Sequence, residues 1–115
     1  MSWKICLCTD NNRQINQHFG TCTQCAIYEI EPAGTANLLE QRQLQSTADS
    51  CSHDDSLRQK IASIADCDYV LCEKIGNHAL RALAAENITA LEYSGEITTA
   101  LQKLAIYLKR LHHLS

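Results

Sequence analysis

Apolar and polar residues alternate from the start of the chain. Trp3, Ile5 and Leu7 fall on one face and Lys4, Cys6 and Cys8 on the other, a period of two that predicts a first strand ending in the polar turn Thr9-Asp10-Asn11-Asn12. A second strand is expected over residues 24–30, where Ile27, Tyr28 and Ile30 cluster. The turn Glu31-Pro32-Ala33-Gly34 then returns the chain into a third strand over 36–44. From Ser52 the period changes. Leu57, Ile61, Ile64 and Ala65 share one face of a helix for which Ser52 or Asp54 supplies a cap. The short apolar run 67–72 predicts a buried strand, and Glu73-Lys74-Ile75-Gly76-Asn77 a loop. Asn77 is expected to cap a helix with Ala79, Leu80, Leu83 and Ala84 on its apolar face, closed by Asn87. A strand over 88–93 and a last helix carrying Ile97, Leu101, Leu104, Leu108 and Leu111 complete the pattern. Strands joined by turns come first and alternating helices and strands follow, which predicts an α/β fold, a mixed sheet of about five strands flanked by helices.

At 115 residues the chain reads as one domain, residues 1–115, able to bury roughly two-thirds of its unfolded surface without staples. Its seven cysteines are therefore not required as cross-links. The first residues show no basic lead-in and no long apolar run, so neither a signal peptide nor a membrane span is expected, and a cytoplasmic, reducing location follows. An odd number of cysteines there points to free thiols or metal ligands. A net charge of -3 with no basic block sets aside nucleic acid and anionic membrane as principal partners.

The chemistry concentrates in Ile15-Asn16-Gln17-His18-Phe19-Gly20 and the adjacent Cys22-Thr23-Gln24-Cys25. An imidazole beside two thiols suits a soft metal centre, since polarisable donors match iron–sulfur and copper–sulfur chemistry. Cys8 and Cys72 end predicted strands, where an open α/β sheet collects ligands, and each reads equally as a crevice residue or a small buried hydrophobe. The loop before the helix at Asn77 adds backbone donors suited to an anionic guest. Cys6 and Cys67 read as core. Cys51 and His53 supplement the C-x-x-C pair, so candidate metal ligands are His18, Cys22, Cys25, Cys51, His53 and Cys72. A structural zinc site from Cys22, Cys25, Cys51 and His53, or a thiol–disulfide role for Cys22 and Cys25, are the alternatives. The second is weakened because the pair precedes a strand rather than opening a helix.

The segments Ile15-Asn16-Gln17-His18-Phe19-Gly20, Ala26-Ile27-Tyr28-Glu29, the run from Asp66 through Cys72-Glu73-Lys74-Ile75-Gly76, and Leu83-Ala84-Ala85-Glu86-Asn87-Ile88 resemble the dinitrogenase iron–molybdenum cofactor biosynthesis family. Residues 51–76 resemble the C-terminal domain of the radical-SAM protein that makes the cofactor's iron–sulfur precursor. The resemblance implies a ribonuclease H-like fold and a small carrier that binds an iron–sulfur or iron–molybdenum cluster rather than performing catalysis. The implied partners are the donor and acceptor proteins of cofactor assembly. It carries the family's histidine onto His18, followed by Phe19 and Gly20, and the cluster-side turn onto Ile75 and Gly76. The Cys22 and Cys25 pair departs from the family's usual pattern. No three-cysteine radical-SAM motif is present, so synthesis of the precursor is not expected of this chain.

Overall fold

The computed structural model of the protein describes residues 2–44 and 53–113, with side chains for all of these except 53–55 and 112–113. The elements run β1 (Trp3–Cys8), β2 (Gln14–Ile15), β3 (Gln24–Ile30), β4 (Ala36–Gln43), α1 (His53–Ala62), β5 (Tyr69–Cys72), α2 (Asn77–Ala85), β6 (Thr89–Glu92), β7 (Gly95–Glu96) and α3 (Ile97–His113). The main sheet has the order β4-β3-β1-β5-β6. Strands β3 and β4 form an antiparallel meander from β1, with an irregularity between Ile27 and Tyr28, whereas β5 and β6 run parallel to β1. This is the expected mixed α/β sheet of five strands.

Strand alternation divides the core in two. Ile5 and Leu7 of β1 face α3, where Ile97, Leu101, Leu104 and Leu108 bury the other side of that layer. Cys6 and Cys8 turn the opposite way, into a core closed by Leu57, Ile61 and Ile64 and by Leu83 of α2. Both faces of β1 are thus buried, as expected for a central strand covered by helices on each side. Each large aliphatic side chain in these layers contributes about 1.5–3 kcal/mol through burial.

Several boundaries differ from the sequence pattern. The run 67–72 becomes a strand only from Tyr69, because Cys67 finishes the turn after α1, where its amide donates to the Ile64 carbonyl at 2.9 Å. Gly76, in extended conformation, is the N-cap of α2 in place of Asn77, and no side chain caps that end. Asn87 does close the helix: it adopts φ 63°, and its amide and that of Ile88 return to the carbonyls of Ala84 and Leu83. That is a Schellman ending, sealed by burial of Ile88 beside Leu83. Leu80 and Leu111 lie largely exposed although the helical period places both on apolar faces. The two-residue strands β2 and β7, which pair Gln14 with Glu96 and Ile15 with Gly95, are too short to leave a periodic signal. The proposed caps Ser52 and Asp54 fall outside the described side chains.

Candidate functional site

The parallel strands β1, β5 and β6 end at Cys8, Cys72 and Glu92, so their following loops share one edge of the sheet, where ligands collect in open α/β folds. The loop after β1 is built by short polar side chains. Thr9 Oγ1 accepts from the Asn12 amide at 3.1 Å, and Asn11 Oδ1 from the amides of Arg13 and Gln14 at 2.9 and 3.0 Å. Asp10 accepts from Asn16 Nδ2 at 2.7 Å and Gln17 Nε2 at 3.1 Å, tying this loop to the segment before His18.

That segment is laid against the loop after β5. Gln17 O accepts from the Glu73 amide and Lys74 O from the Phe19 amide, both at 2.9 Å, forming a parallel bridge between His18 and Lys74. His18, Phe19 and Gly20 are therefore brought beside Glu73, Lys74, Ile75 and Gly76. The imidazole is exposed, with Nε2 3.4 Å from Glu73 Oε1. Glu73 Oε2 accepts from Ser94 Oγ at 3.2 Å, and the Ile75 amide donates to Glu92 Oε2 at 2.9 Å. Helix α2 starts here with no acidic residue in its first turn. Its N-terminal dipole end faces the loop edge, which favours negative charge. A Cβ built on Gly76 would meet nothing within 4 Å, so this lip is open toward solvent.

The thiols are placed elsewhere. Cys6, Cys8, Cys22, Cys25, Cys67 and Cys72 are all buried in the core beneath α1 and α2. Cys22 is turned inward by a tight turn in which its amide donates to the His18 carbonyl at 3.0 Å, and its Sγ lies 2.8 Å from the Gln24 carbonyl. Cys6 and Cys8 share one face of β1, Cys25 lies directly opposite Cys8 across the β1–β3 pair, and Cys22 belongs to the same buried cluster. Bonds from Cys25 and Cys8 push the Cys6 thiol well up, and the bond from Cys8 does the same to Cys22. Cys8 is held well below the usual thiol range, because Cys22 and Cys6 donate to its thiolate and the Lys60 charge is near. Burial pushes Cys67 and Cys72 up to about 12.

Lys60 completes this interior. It sits within the apolar stripe of α1 and is 1% exposed, its ammonium donating to the carbonyls of Phe19, Gly20 and Cys22 and lying 5.0 Å from the centre of the Phe19 ring. The contact with Gly20 is the longest at 3.4 Å and that with Cys22 is 2.7 Å. Desolvation lowers its pKa, while the neighbouring thiols, Cys22 foremost, oppose the shift.

The family model described as dinitrogenase iron-molybdenum cofactor matches residues 1–106. This chain belongs to the dinitrogenase iron-molybdenum cofactor family. It is 29% identical over 107 residues to the FeMo cofactor biosynthesis protein NifB of Rhodobacter capsulatus, a match covering 93% of this chain and 24% of that protein. Against the NifB protein of Frankia alni it is 32% identical over 104 residues, covering 87% of this chain and 20% of the relative. The chain thus spans about a quarter or less of the length of these curated relatives. The crystal structure of PH0822 shares the fold with a TM-score of 0.70 at 16% identity, covering 90% of each chain.

Within this family domain the residues singled out in the sequence separate into two groups. His18, Phe19, Gly20, Ile75 and Gly76 converge at the strand-end lip, although the Phe19 side chain points into the core. Cys22, Cys25 and Cys72 lie inside, and His18 turns away from them. Among the described residues, no three His, Cys, Asp or Glu side chains are grouped so that they could hold a metal ion. The shared shell expected of His18 with Cys22 and Cys25 is therefore not formed in this conformation. Cys51 lies outside the described residues, as does the side chain of His53, whose backbone opens α1. Cys8 and Cys72 are fully buried rather than lining a crevice. Sequence reasoning passed over Lys60 and Glu73. Lys60 carried a signal, since it falls three residues after Leu57 and beside Ile61 on the apolar face. Glu73 carried none, because its pairing with His18 depends on a bridge between distant loops.

Proposed function

We propose that this domain is a small carrier that binds an iron–molybdenum or iron–sulfur cluster, or its precursor, as cargo during FeMo cofactor assembly. It receives the cluster from a donor protein and yields it to an acceptor in the cytoplasm, without catalysing a reaction. The observation that carries this reading is the bridge that places exposed His18 against the loop opening α2. Glu73 engages Nε2 and leaves Nδ1 to ligate, the arrangement in which a carboxylate orients a metal-binding histidine. The N-terminal end of α2 and the open face at Gly76 suit an anionic metal–sulfur guest. Homology to NifB proteins supports the same assignment. The order of the five main strands, a meander followed by two parallel crossovers, supports the ribonuclease H-like reading of the sheet. The buried thiols are not needed for this lip, so Cys22, Cys25 and Cys72 would join the cargo only after a rearrangement.

The test is anaerobic reconstitution with iron, sulfide and molybdate, followed by desalting, absorption and EPR. Wild-type protein is expected to retain a cluster that His18→Ala loses, with Glu73→Gln weakening retention by about 10–100-fold as an orienting partner. Equal retention by wild type and His18→Ala, or none by wild type, would refute the assignment.

A further inference from the structure

Cys8 and Cys25 are the last pair of the β1–β3 ladder, directly opposite one another in antiparallel register. Opposed residues of such a pair have Cα atoms about 4.5 or 5.5 Å apart, according to whether they exchange ladder hydrogen bonds. Both separations fall within the roughly 4.4–6.8 Å that a disulfide spans. Opposed residues also share a face of the sheet, and both of these side chains enter the same core cluster. The neighbouring thiols are turned elsewhere. Cys22 Sγ lies 2.8 Å from the Gln24 carbonyl, Cys72 Sγ faces the Leu91 carbonyl of β6 at 4.0 Å, and Cys6 stands opposite Ile27. The pair also marks the base of a loop. After Cys8 the chain leaves the main sheet, builds the Asp10 turn and the His18 segment, and re-enters at the start of β3 beside its point of departure.

We propose that Cys8 and Cys25 are a site of reversible oxidation, at which a small disulfide of the glutathione class is exchanged for a cross-strand disulfide that clasps the base of the His18 loop. One protein thiolate attacks the small disulfide, forming a mixed disulfide and expelling one glutathione thiolate. The opposed thiolate then attacks the protein sulfur of that intermediate, forming the Cys8–Cys25 bond and expelling the second glutathione. The two cysteines are oxidised, one glutathione disulfide is reduced to two thiols, and the two protons lost by the protein pass to the departing thiolates. Access follows from position. The pair closes its ladder, so fraying of the strand ends exposes it while β5 still holds β1 through Ile5, Cys6 and Leu7. In a reducing compartment such a bond is transient, made under oxidant and undone by thiols. Closing the loop constrains the unfolded chain, so the oxidised protein resists opening of the segment that carries His18. This chemistry needs no cargo at the lip and stands apart from the carrier reading.

The experiment treats the native, reduced full chain carrying Cys51→Ser with excess oxidised glutathione, then alkylates the remaining thiols in denaturant and counts them by mass. The count is expected to fall by two from six. Trypsin should release Ile5–Arg13 joined to Gln14–Arg42 by one disulfide, which tandem mass spectrometry places between Cys8 and Cys25. Cys6→Ala and Cys22→Ala keep the link, whereas Cys8→Ala and Cys25→Ala lose it. The linked protein should show an unfolding equilibrium constant about 100-fold smaller, the loop-closure effect for roughly 15 residues, and dithiothreitol should restore the starting value. Six free thiols after treatment, glutathione retained on the protein as the end product, a link to Cys6, Cys22 or Cys72, or an unchanged unfolding constant in the linked protein would overturn the proposal. The linked peptides of the parent chain decide the pairing even if an alanine variant fails to fold.

Discussion

Cys8 and Cys25 lie directly opposite one another on adjacent antiparallel strands, and neither is more than 2% exposed. The six thiols of the described residues therefore form an inner wall of the fold and not a surface reagent. In the reduced native protein with Cys51→Ser, the six remaining cysteines are expected to react with a thiol reagent only through opening of the structure. Stopped-flow labelling should show rates about 10³-fold or more below those in guanidinium, given ordinary domain stabilities. Fast labelling of Cys22 or Cys25 alone would reveal an accessible C-x-x-C pair and revive a thiol–disulfide role.

Lys60 fastens the turn that carries Phe19 and Cys22. Replacing it with Met fills similar volume but leaves the Phe19 and Cys22 carbonyls without their donor. At about 1–3 kcal/mol for each unsatisfied buried group, Lys60→Met is expected to cost roughly 2–5 kcal/mol in chemical denaturation. A loss below about 1 kcal/mol would show that the carbonyls find water and that the clamp is dispensable.

Asn87 holds a left-handed conformation at the end of α2. A Cβ-bearing residue without Asn's local hydrogen bonding is strained there, so Asn87→Ala should lower stability by about 1 kcal/mol, while Asn87→Gly should be neutral or stabilising. Thermal melts of the pair measure the difference directly, and an equal effect of both would place the cost in lost side-chain contacts.

Asp66 receives a two-pronged contact from Arg42, with both nitrogen–oxygen distances 2.7 Å, and a third from Lys4 at 3.2 Å. The Arg42 hydrogen bonds hold its carboxyl well below the usual range. A carboxyl lowered in the folded state contributes stability that is complete above its unfolded pKa of about 3.9 and is lost as pH falls through the folded value. Urea midpoints measured from neutral pH downward should therefore fall below about pH 4 in wild type, with a shallower decline in Asp66→Asn. Both charges are partly solvated, so the effect should shrink with added salt.

Much of the architecture was legible because central strands and amphipathic helices write their period into the chain. Trp3–Cys8, the return strand after Pro32 and Gly34, and the last helix all follow from spacing. What was not legible is long-range. The pairing of Gln14 with Glu96 and of His18 with Lys74 joins residues whose local patterns say only loop, and a two-residue strand has no period to detect. The site divides along the same line. His18, Ile75 and Gly76 were marked by the family pattern, and the structure sets them side by side. The cysteines were marked by chemistry, but alternation in β1 had already placed Cys6 and Cys8 opposite the apolar residues. Only the helices over that face make its thiols interior. Lys60 was hidden by expectation, since a lysine in an apolar stripe reads as an interruption until the carbonyls it serves are seen.

The bridge between His18 and Lys74 also fixes when the lip can exist. It spans 56 positions of chain and requires β5 already docked beside β1, so its closure entropy is met only once the sheet is built. A nascent or partly folded molecule has no such rim. The proposed binding of a guest therefore depends on the margin of the sheet staying closed.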